Sequence, residues 1–474
     1  MIHWPLSLLV AAMFAAGCTP DPDVAAGAPN DAGSADNRPH IVFITSDDHS
    51  VPDLGVYGNP VITTPNIDRL AGQGILFNRA YATTPQCSPS RASLVTGRSA
   101  TATGNSRLHS PLRTEHANII EALNRAGYFT AAFRKIHLGE EVEGQFAFRE
   151  SDESVGFEAA FEQWDGEQPM FLHIGFNEPH RPYEAGYWDP PHDPDKVIVP
   201  DYLPDTPEVR QDLALYYDEI AEMDRQIGEL MALLEDQGIA DNTFVIFVGD
   251  NGLPFPGAKG TLYEPGVHVP LFAFWPDRIP AGQVTDEIVS LVDLVPTVLE
   301  AAAIEPFAGI EGRSLLEMMR ETTGPGVREY AFSERNWHDN LDLSRAVHGT
   351  RYKLIRNYLH DRPYRPTMDI QNSLSWSSIV ELHERGELGE MHTARYFADQ
   401  RPPYELFDLQ SDPHERINLA DSEEHAEIRE QLEAVLTEWM RGINDPLPPP
   451  HGELPAAAIK ALQEQGVDPR DLFR

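Results

Sequence analysis

The chain has 474 residues, of which 41% are hydrophobic and 23% charged, a composition typical of a soluble globular protein large enough for two domains. Its formal net charge of −39 at pH 7 argues against nucleic acid as a partner, because the phosphate backbone would be repelled. An anionic substrate would need a local basic pocket, which screening over about 8 Å at physiological salt permits.

The first eighteen residues have the features of an export signal. Residues 5–16 are apolar but too short to cross a bilayer as a helix, and small residues precede Cys18. This pattern resembles a bacterial lipoprotein signal, so we predict export and a lipid anchor at Cys18, with a periplasmic or outer-membrane location. Residues 19–38 are rich in Ala, Gly, Pro, Asp and Asn, which predicts a flexible linker.

The fold is predicted to begin at about residue 39, where short apolar runs start to alternate with helical patterns. The runs predict buried parallel strands, and they lie at residues 40–45, 128–133, 170–175 and 243–248. Helices are predicted between them, for example at 115–126 and 208–236. Residues 39–327 should therefore form an α/β domain in which a large, mostly parallel sheet is flanked by helices.

After about residue 328 the pattern changes to short strands and hairpins. Strands are predicted at 330–333, within 345–355 and at 404–409, and a helix near 421–441. This predicts a smaller C-terminal subdomain, residues 328–474, with an antiparallel sheet and a packed helix. Residues 358–403 are less regular, and we expect them to form loops that face the substrate.

Polar residues follow each of the four predicted parallel strands at once. Because ligands bind beyond the carboxyl ends of the strands in open α/β sheets, these clusters should converge on one edge. Two of them carry three carboxylates and an amide, hard oxygen donors that suit Ca²⁺ or Mg²⁺ and not zinc: Asp47, Asp48, Asp250 and Asn251. The other clusters and one later lysine add cations and titratable groups around the predicted metal: Lys135, His137, His180 and Lys259.

The segment from Cys87 to Arg91 places a thiol and an arginine at a predicted helix start, where Pro89 suits the first turn. The helix dipole there would favour an anion beside Cys87. Only two cysteines exist, so Cys87 has no disulfide partner if Cys18 is consumed by processing. Modification, catalysis or burial would each explain it. Arg91 adds a cation to this set of residues, which together predict hydrolysis of a sulfate or phosphate ester. The residues alone do not distinguish a sulfate from a phosphate substrate.

The Cys87–Arg91 segment, followed by Thr96-Gly97-Arg98, resembles the signature of the type I sulfatases, in which a maturation enzyme oxidises the cysteine to formylglycine. The likeness runs from about residue 39 to 419 and implies an alkaline-phosphatase-like sulfatase fold. It also implies one Ca²⁺, or Mg²⁺, with these ligands: Asp47, Asp48, modified Cys87, Asp250 and Asn251. The implied catalytic residues are Cys87, Arg91, Lys135, His137, His180 and Lys259.

Three segments, 177–181, 199–210 and 250–256, resemble the sulfamidase subgroup, which removes sulfate from N-sulfoglucosamine in heparin and heparan sulfate. We therefore predict that substrate, with Arg181 contacting the sugar. Lys259 departs from the arginine of animal sulfamidases, and it keeps the charge without the bidentate contact. The alternatives are a carbohydrate O-sulfatase, a phosphodiesterase or phosphonate hydrolase of the same superfamily, and a noncatalytic carbohydrate-binding lipoprotein. A homodimer is compatible with the sequence.

Overall fold

A computed structural model describes residues 37–321 and 326–447. The predicted signal and nearly all of the predicted linker lie outside these ranges, so export and the lipid anchor at Cys18 stay predictions. No helix in the described ranges is long and apolar enough to cross a membrane. From Arg38 onward the described chain forms one compact unit, so the predicted boundary at 327/328 separates two sheets within one body.

The elements of the described chain are as follows. The strands are β1 His40–Ser46, β2 Ile75–Phe77, β3 Ala80–Tyr81, β4 Phe129–Arg134, β5 Phe148–Glu150, β6 Met170–Gly175, β7 Thr243–Gly249, β8 Leu271–Phe274, β9 Gln283–Thr285, β10 Val289–Ser290, β11 Ala331–Trp337, β12 Leu341–His348, β13 Tyr352–Asn357 and β14 Tyr404–Asp408. The helices are α1 Pro65–Gly72, α2 Cys87–Thr96, α3 Ala100–Thr103, α4 Ile119–Arg125, α5 Glu140–Glu143, α6 Glu158–Gln163, α7 Pro207–Asp236, α8 Glu264–Val267, α9 Leu294–Ala301, α10 Leu316–Arg320, α11 Met368–Gln371, α12 Leu374–Glu384, α13 Glu390–Phe397 and α14 Ala426–Gly442.

The main sheet has eight strands in the order β5-β4-β6-β1-β7-β8-β2-β9. The four strands predicted from apolar runs are β4, β6, β1 and β7, and they are neighbours and mutually parallel. Their carboxyl ends therefore lie side by side at one edge. β8 is antiparallel to both of its neighbours, which makes the sheet mixed but mostly parallel. The predicted fold class is confirmed.

Both faces of the main sheet are covered, which explains why its strands are apolar at nearly every position. Along β1, Ile41 and Phe43 belong to one buried cluster, which includes residues of α2, α4, α9 and α10. Val42 and Ile44 belong to the opposite cluster, with residues of α1, α7 and α12. The result is a three-layered sandwich of helices, sheet and helices.

The second sheet is antiparallel in the order β11-β12-β13-β14, and α14 packs against it through Leu432, Leu436 and Met440. The apolar run at 345–355 is divided into β12 and β13 by a turn in which the Gly349 N–H donates to the Tyr352 carbonyl at 2.9 Å. Residues 358–403 contain the helices α11, α12 and α13, so the prediction that they are loops is wrong in part. Their first helix still reaches the edge of the main sheet where polar residues converge, as described below.

A buried ion pair ties the loop after β6 to α7 and α12. The Arg181 guanidinium donates to both oxygens of Asp212 at 2.7 Å, and its Nε donates to the Pro254 carbonyl at 2.8 Å. Asp212 Oδ2 also accepts from the backbone N–H and hydroxyl of Ser375, at 3.1 and 2.6 Å. Asp212 is 1% exposed, so its removal would leave a buried guanidinium unpaired.

We predict that Asp212→Ala lowers the free energy of unfolding by about 3–5 kcal/mol, because breaking a buried pair strands the remaining charge. Thermal unfolding followed by circular dichroism measures this. The matched control is Asp205→Ala, which removes the solvent-exposed pair with Arg210 and should change the midpoint little. Equal midpoints for the two variants would contradict the structural role of Asp212.

Candidate active site

The polar residues that follow β1, β4, β6 and β7 converge at one edge of the main sheet, as predicted. The backbone there is strained, since Asp48, Arg134 and His137 all adopt positive φ angles of 60–63°. Non-glycine residues hold this conformation only when the surrounding structure enforces it, and such positions concentrate at functional sites. The strand ends therefore form a locally constrained site.

Three carboxylates, those of Asp47, Asp48 and Asp250, are fully buried at this edge. Asp250 Oδ1 accepts from the backbone N–H of Asp48 at 3.1 Å, and Asp48 Oδ1 accepts from the Asn251 amide at 2.7 Å. Burial raises the pKa of Asp250 to about 7 and that of Asp48 to about 6, and the charge of Asp47 adds to both shifts. A cation at this position would favour their ionised forms.

Cys87 is the first residue of α2, and its Sγ lies 3.2 Å from Asp47 Oδ1. The thiol is unpaired and buried. Burial and the Asp47 carboxylate raise the pKa of Cys87 well above its usual value. The expected preference for an anion at this helix start is thus outweighed, and the unmodified side chain is a neutral thiol and a weak nucleophile.

Arg91 lies one turn further along α2 and connects two of the carboxylates. Its Nε donates to Asp250 Oδ2 at 2.7 Å, and Nη2 lies 3.6 Å from Asp47 Oδ2. Nη1 donates to the Lys135 carbonyl. Gly175 makes this approach possible, because a Cβ there would lie 1.8 Å from that carbonyl oxygen and 2.8 Å from Nη1. Arg91 therefore holds the Asp47 and Asp250 carboxylates in position.

Two lysines also contact the carboxylates. Lys135 Nζ contacts Asp47 Oδ2. Lys259 Nζ donates to Asp48 Oδ2 at 2.7 Å and approaches His180 Nε2 at 3.1 Å. Although burial lowers it, the pKa of Lys259 is held well above its usual value by Asp48, so the ammonium stays charged. The structure thus brings the predicted residues Lys135, His180 and Lys259 together around Cys87.

Hydrogen bonding fixes the state of the His180 ring. Its Nδ1 contacts the Arg181 carbonyl, which can only accept, so Nδ1 carries the proton. Nε2 therefore accepts from Lys259 Nζ. Burial and the nearby Lys259 charge lower the pKa of His180 to about 4, which keeps the ring neutral at pH 7. In this state His180 is an acceptor, and Lys259 holds the available proton.

His137 lies against a residue that the sequence analysis did not identify. Its Nε2 is 2.7 Å from Nδ1 of His109, so one ring donates to the other. Burial and the neighbouring Lys135 charge lower the pKa of His137 to about 3. The two neutral rings stand beside Lys135 at the rim of the site.

A cavity of ≈440 Å³ opens above Cys87, and most of the predicted catalytic side chains line it. Five further titratable lining residues escaped the sequence analysis: His109, Arg149, His338, Asp339 and Asp369. Asp369, from α11, accepts from Lys259 Nζ at 2.7 Å. No local sequence pattern identifies these residues. Only Asp369 could have been suggested, because it is a charged residue in the segment 358–403, which the sequence predicts to face the substrate.

The prediction that Arg181 contacts the sugar is corrected by the structure. Its guanidinium is committed to Asp212 and Pro254, and its faces lie 4.4 and 4.7 Å from the ring centroids of Tyr183 and Phe255. Arg181 does not line the cavity above Cys87. Although Arg181 follows His180 in sequence, its side chain pairs with Asp212, whereas the His180 side chain lines the cavity.

The side chains present fit a hard divalent cation. Ligand atoms of four of them lie within 4.8 Å of one another: Asp47, Asp48, Cys87 and His180. Asn251 Oδ1 is buried beside them without a hydrogen-bond partner, which is unfavourable unless a cation or donor meets it. Asp250 lies next to these residues, since its Oδ1 accepts from the backbone N–H of Asp48. Its Oδ2 accepts from Arg91 Nε. Oxygen donors of this kind are suited to Ca²⁺ or Mg²⁺.

Comparisons with known proteins identify the family of this chain. The family model described as Sulfatase matches residues 39–166 and 151–304, and the model described as N-sulphoglucosamine sulphohydrolase, C-terminal, matches residues 258–374. Human N-sulphoglucosamine sulphohydrolase is 30% identical over 462 residues, which cover 86% of this chain and 91% of the human protein.

Two solved structures share the fold. One is a complex with the substrate D-glucosamine-2-N,6-O-disulfate, with a TM-score of 0.65 and 20% identity over 86% of this chain and 98% of that one. The other is the phosphonate monoester hydrolase of Agrobacterium radiobacter, with a TM-score of 0.66 and 20% identity over 86% and 96%. These two likenesses concern the fold, whereas the family match and the human relative extend to sequence. The chain with Cys87 at the start of α2 belongs to the sulfatase family.

Proposed function

We propose that this sulfatase hydrolyses the N-sulfate group of N-sulfoglucosamine in heparin or heparan sulfate fragments, with Cys87 converted to formylglycine. The match of residues 258–374 to the C-terminal model of N-sulphoglucosamine sulphohydrolase carries the proposal. That segment contains Lys259 and Asp369, which line the cavity, so the likeness includes the region that meets a substrate. The human relative supports it over most of the chain.

Formylglycine supplies what the buried thiol of Cys87 lacks. Converted to formylglycine and hydrated, Cys87 would supply one hydroxyl as a nucleophile for sulfur and a second hydroxyl that permits release of sulfate, which a serine at this position could not do. A bound divalent cation would supply Lewis acidity and would orient the reacting groups, held by the Asp47 and Asp48 carboxylates and their neighbours. Arg91 keeps the Asp47 and Asp250 carboxylates in place.

The cavity residues bind the sulfate oxygens and provide a proton. Lys135 and Lys259 present ammonium groups beside Cys87, where they offset the charge that develops on the sulfate. A leaving nitrogen must gain a proton. Since neutral His180 accepts from Lys259 at 3.1 Å and its Nδ1 proton is held by the Arg181 carbonyl, Lys259 is the group that can donate a proton to the leaving atom.

Replacement of Cys87 tests the nucleophile. Cys87→Ala and Cys87→Ser should each lower sulfate release by roughly 10³-fold or more while the fold persists, because neither can form the aldehyde. Sulfate is measured by ion chromatography and folding by circular dichroism. Cys18→Ser, at the other cysteine, is the matched control and should stay active. Activity of either Cys87 variant within about tenfold of the wild type would contradict the proposal.

Metal analysis tests the cation. The purified protein should hold about one equivalent of Ca²⁺, and Asp250→Ala should lose it, because the variant removes a carboxylate that positions Asp48. A chelator should lower the thermal midpoint of the wild type and leave that of the variant unchanged. The control is Asp241→Asn, an exposed carboxylate at the opposite end of β7. Full metal content in Asp250→Ala would show that the ligand set is wrong.

Substrate choice is tested with matured enzyme and two singly sulfated sugars. Sulfate should be released from glucosamine N-sulfate at a kcat/KM at least about tenfold higher than from glucosamine 6-sulfate, a difference of about 1.4 kcal/mol in transition-state binding. The opposite preference would leave the protein a sulfatase and overturn the N-sulfate assignment.

A carbohydrate O-sulfatase is the second candidate. The structural neighbour solved with D-glucosamine-2-N,6-O-disulfate favours it, since that sugar carries both kinds of sulfate. The residues around Cys87 act on the sulfate group and do not distinguish the leaving atom. The sugar-facing wall of the cavity must provide that distinction.

A further inference from the structure

One wall of the cavity contains none of the residues assigned above to sulfate binding or proton transfer. This wall, here called the acceptor wall, consists of His338, Asp339 and Asp369. The first two lie between β11 and β12, and Asp369 lies on α11. Asp339 Oδ2 accepts from His338 Nδ1 at 2.9 Å and from the backbone N–H of Met368 at 2.7 Å. Asp339 thus joins the two segments into one surface.

His338 presents an unsatisfied acceptor at this wall. Its side chain is 6% exposed, and its Nε2 is buried without a hydrogen-bond partner. Because Nδ1 donates to Asp339, Nε2 of the neutral ring carries only a lone pair. Burial lowers the pKa of His338, against the opposing effect of Asp339, and so favours that neutral ring. A buried acceptor of this kind calls for a donor on the ligand.

Asp369 places a carboxylate beside the groups that surround the scissile sulfate. Its Oδ2 lies 2.7 Å from Lys259 Nζ and 3.8 Å from His180 Nε2. A carboxylate oxygen has room for further donors, and sugar hydroxyl groups are donors of the right kind. The wall therefore offers acceptors where the ring substituents next to the scissile group would lie.

The cations that line the cavity are already paired within the described chain. Lys135 contacts Asp47, Lys259 contacts both Asp48 and Asp369, and Arg149 lies 3.1 Å from Glu143. A second sulfate on the sugar would find no uncommitted lysine or arginine among these lining residues. It would instead meet the charges of Asp339 and Asp369, and like charges a few ångströms apart repel strongly away from bulk water.

From these contacts we infer that the acceptor wall binds free hydroxyl groups of the sugar and rejects a second sulfate group beside the scissile one. The enzyme then acts on a singly sulfated ring. The inference rests on the proposed function, since it concerns the sugar that the same cavity takes. Attraction to hydroxyl groups and repulsion of sulfate act together, as in other selective sites.

Competitive inhibition of p-nitrophenyl sulfate hydrolysis tests the wall without requiring turnover of an N-sulfated sugar. Glucosamine N-sulfate should inhibit the matured enzyme at least about tenfold more tightly than glucosamine N,6-disulfate does, because both can place one sulfate beside Cys87 and only the disulfate carries a second one. Asp339→Asn and Asp369→Asn should each reduce this ratio to about threefold or less, because the repulsion of the second sulfate falls. Asp339→Asn does not touch Lys259, so it keeps the test informative where Asp369→Asn disturbs the catalytic residues.

Asp361→Asn is the matched control, an exposed carboxylate in the connection that leads to α11, and should keep the wild-type ratio. Equal inhibition by the two sugars, or an unchanged ratio in both wall variants, would overturn the inference. Tighter inhibition by glucosamine N-sulfate than by the disulfate, together with no sulfate release from glucosamine N-sulfate, would sustain the wall and contradict the proposed function. Sulfate release from glucosamine N-sulfate, together with equal inhibition by the two sugars, would sustain the proposed function and contradict the wall.

Discussion

The structure depends on the burial of three carboxylates at the carboxyl edge of the main sheet. Asp47, Asp48 and Asp250 are fully buried, and such charges are tolerated only when they are paired. Three cations, Arg91, Lys135 and Lys259, contact them and balance their formal charge. Uptake of a divalent cation would then leave the centre with a surplus of positive charge, in a chain whose net charge is −39. A local field of this kind would let an acidic protein bind sulfate.

The arrangement follows from strand order. β4, β6, β1 and β7 are adjacent and parallel, so residues more than 200 positions apart in sequence meet at one edge. Arg91 reaches the Asp47 and Asp250 carboxylates from α2. The absence of a side chain at Gly175 leaves room for its guanidinium. The apolar strands thus form a rigid sandwich, and this sandwich positions the polar residues at the strand ends.

Much of this could be predicted from sequence because the signals are local. The apolar runs identified the four central strands to within one residue, and the residues after each run, with Cys87, identified the centre. Arg181 was misplaced because sequence adjacency does not determine where a side chain points. A signal was available, since Asp212 interrupts the apolar face of α7 and a buried acid there needs a partner.

The acceptor wall lay beyond sequence reasoning for a different reason. His338 and Asp369 come from two segments without a periodic pattern, and they meet only through the packing of the second sheet and α11 beside the first sheet. In the proposed function the catalytic groups come from α2 and from segments that follow strands of the main sheet, and the inferred sugar contacts come from the C-terminal part. Asp369 links the two parts through Lys259, whereas a change at Asp339 would alter substrate preference without touching that lysine.

Calorimetric titration with inorganic sulfate tests the central claim most directly, since it measures binding of the anion in the absence of turnover. The account predicts that sulfate binds the Ca²⁺-loaded protein and that binding is at least about tenfold weaker after the metal is removed, because Lys135 and Lys259 are then neutralised by Asp47 and Asp48. Equal sulfate affinity with and without the metal would contradict it.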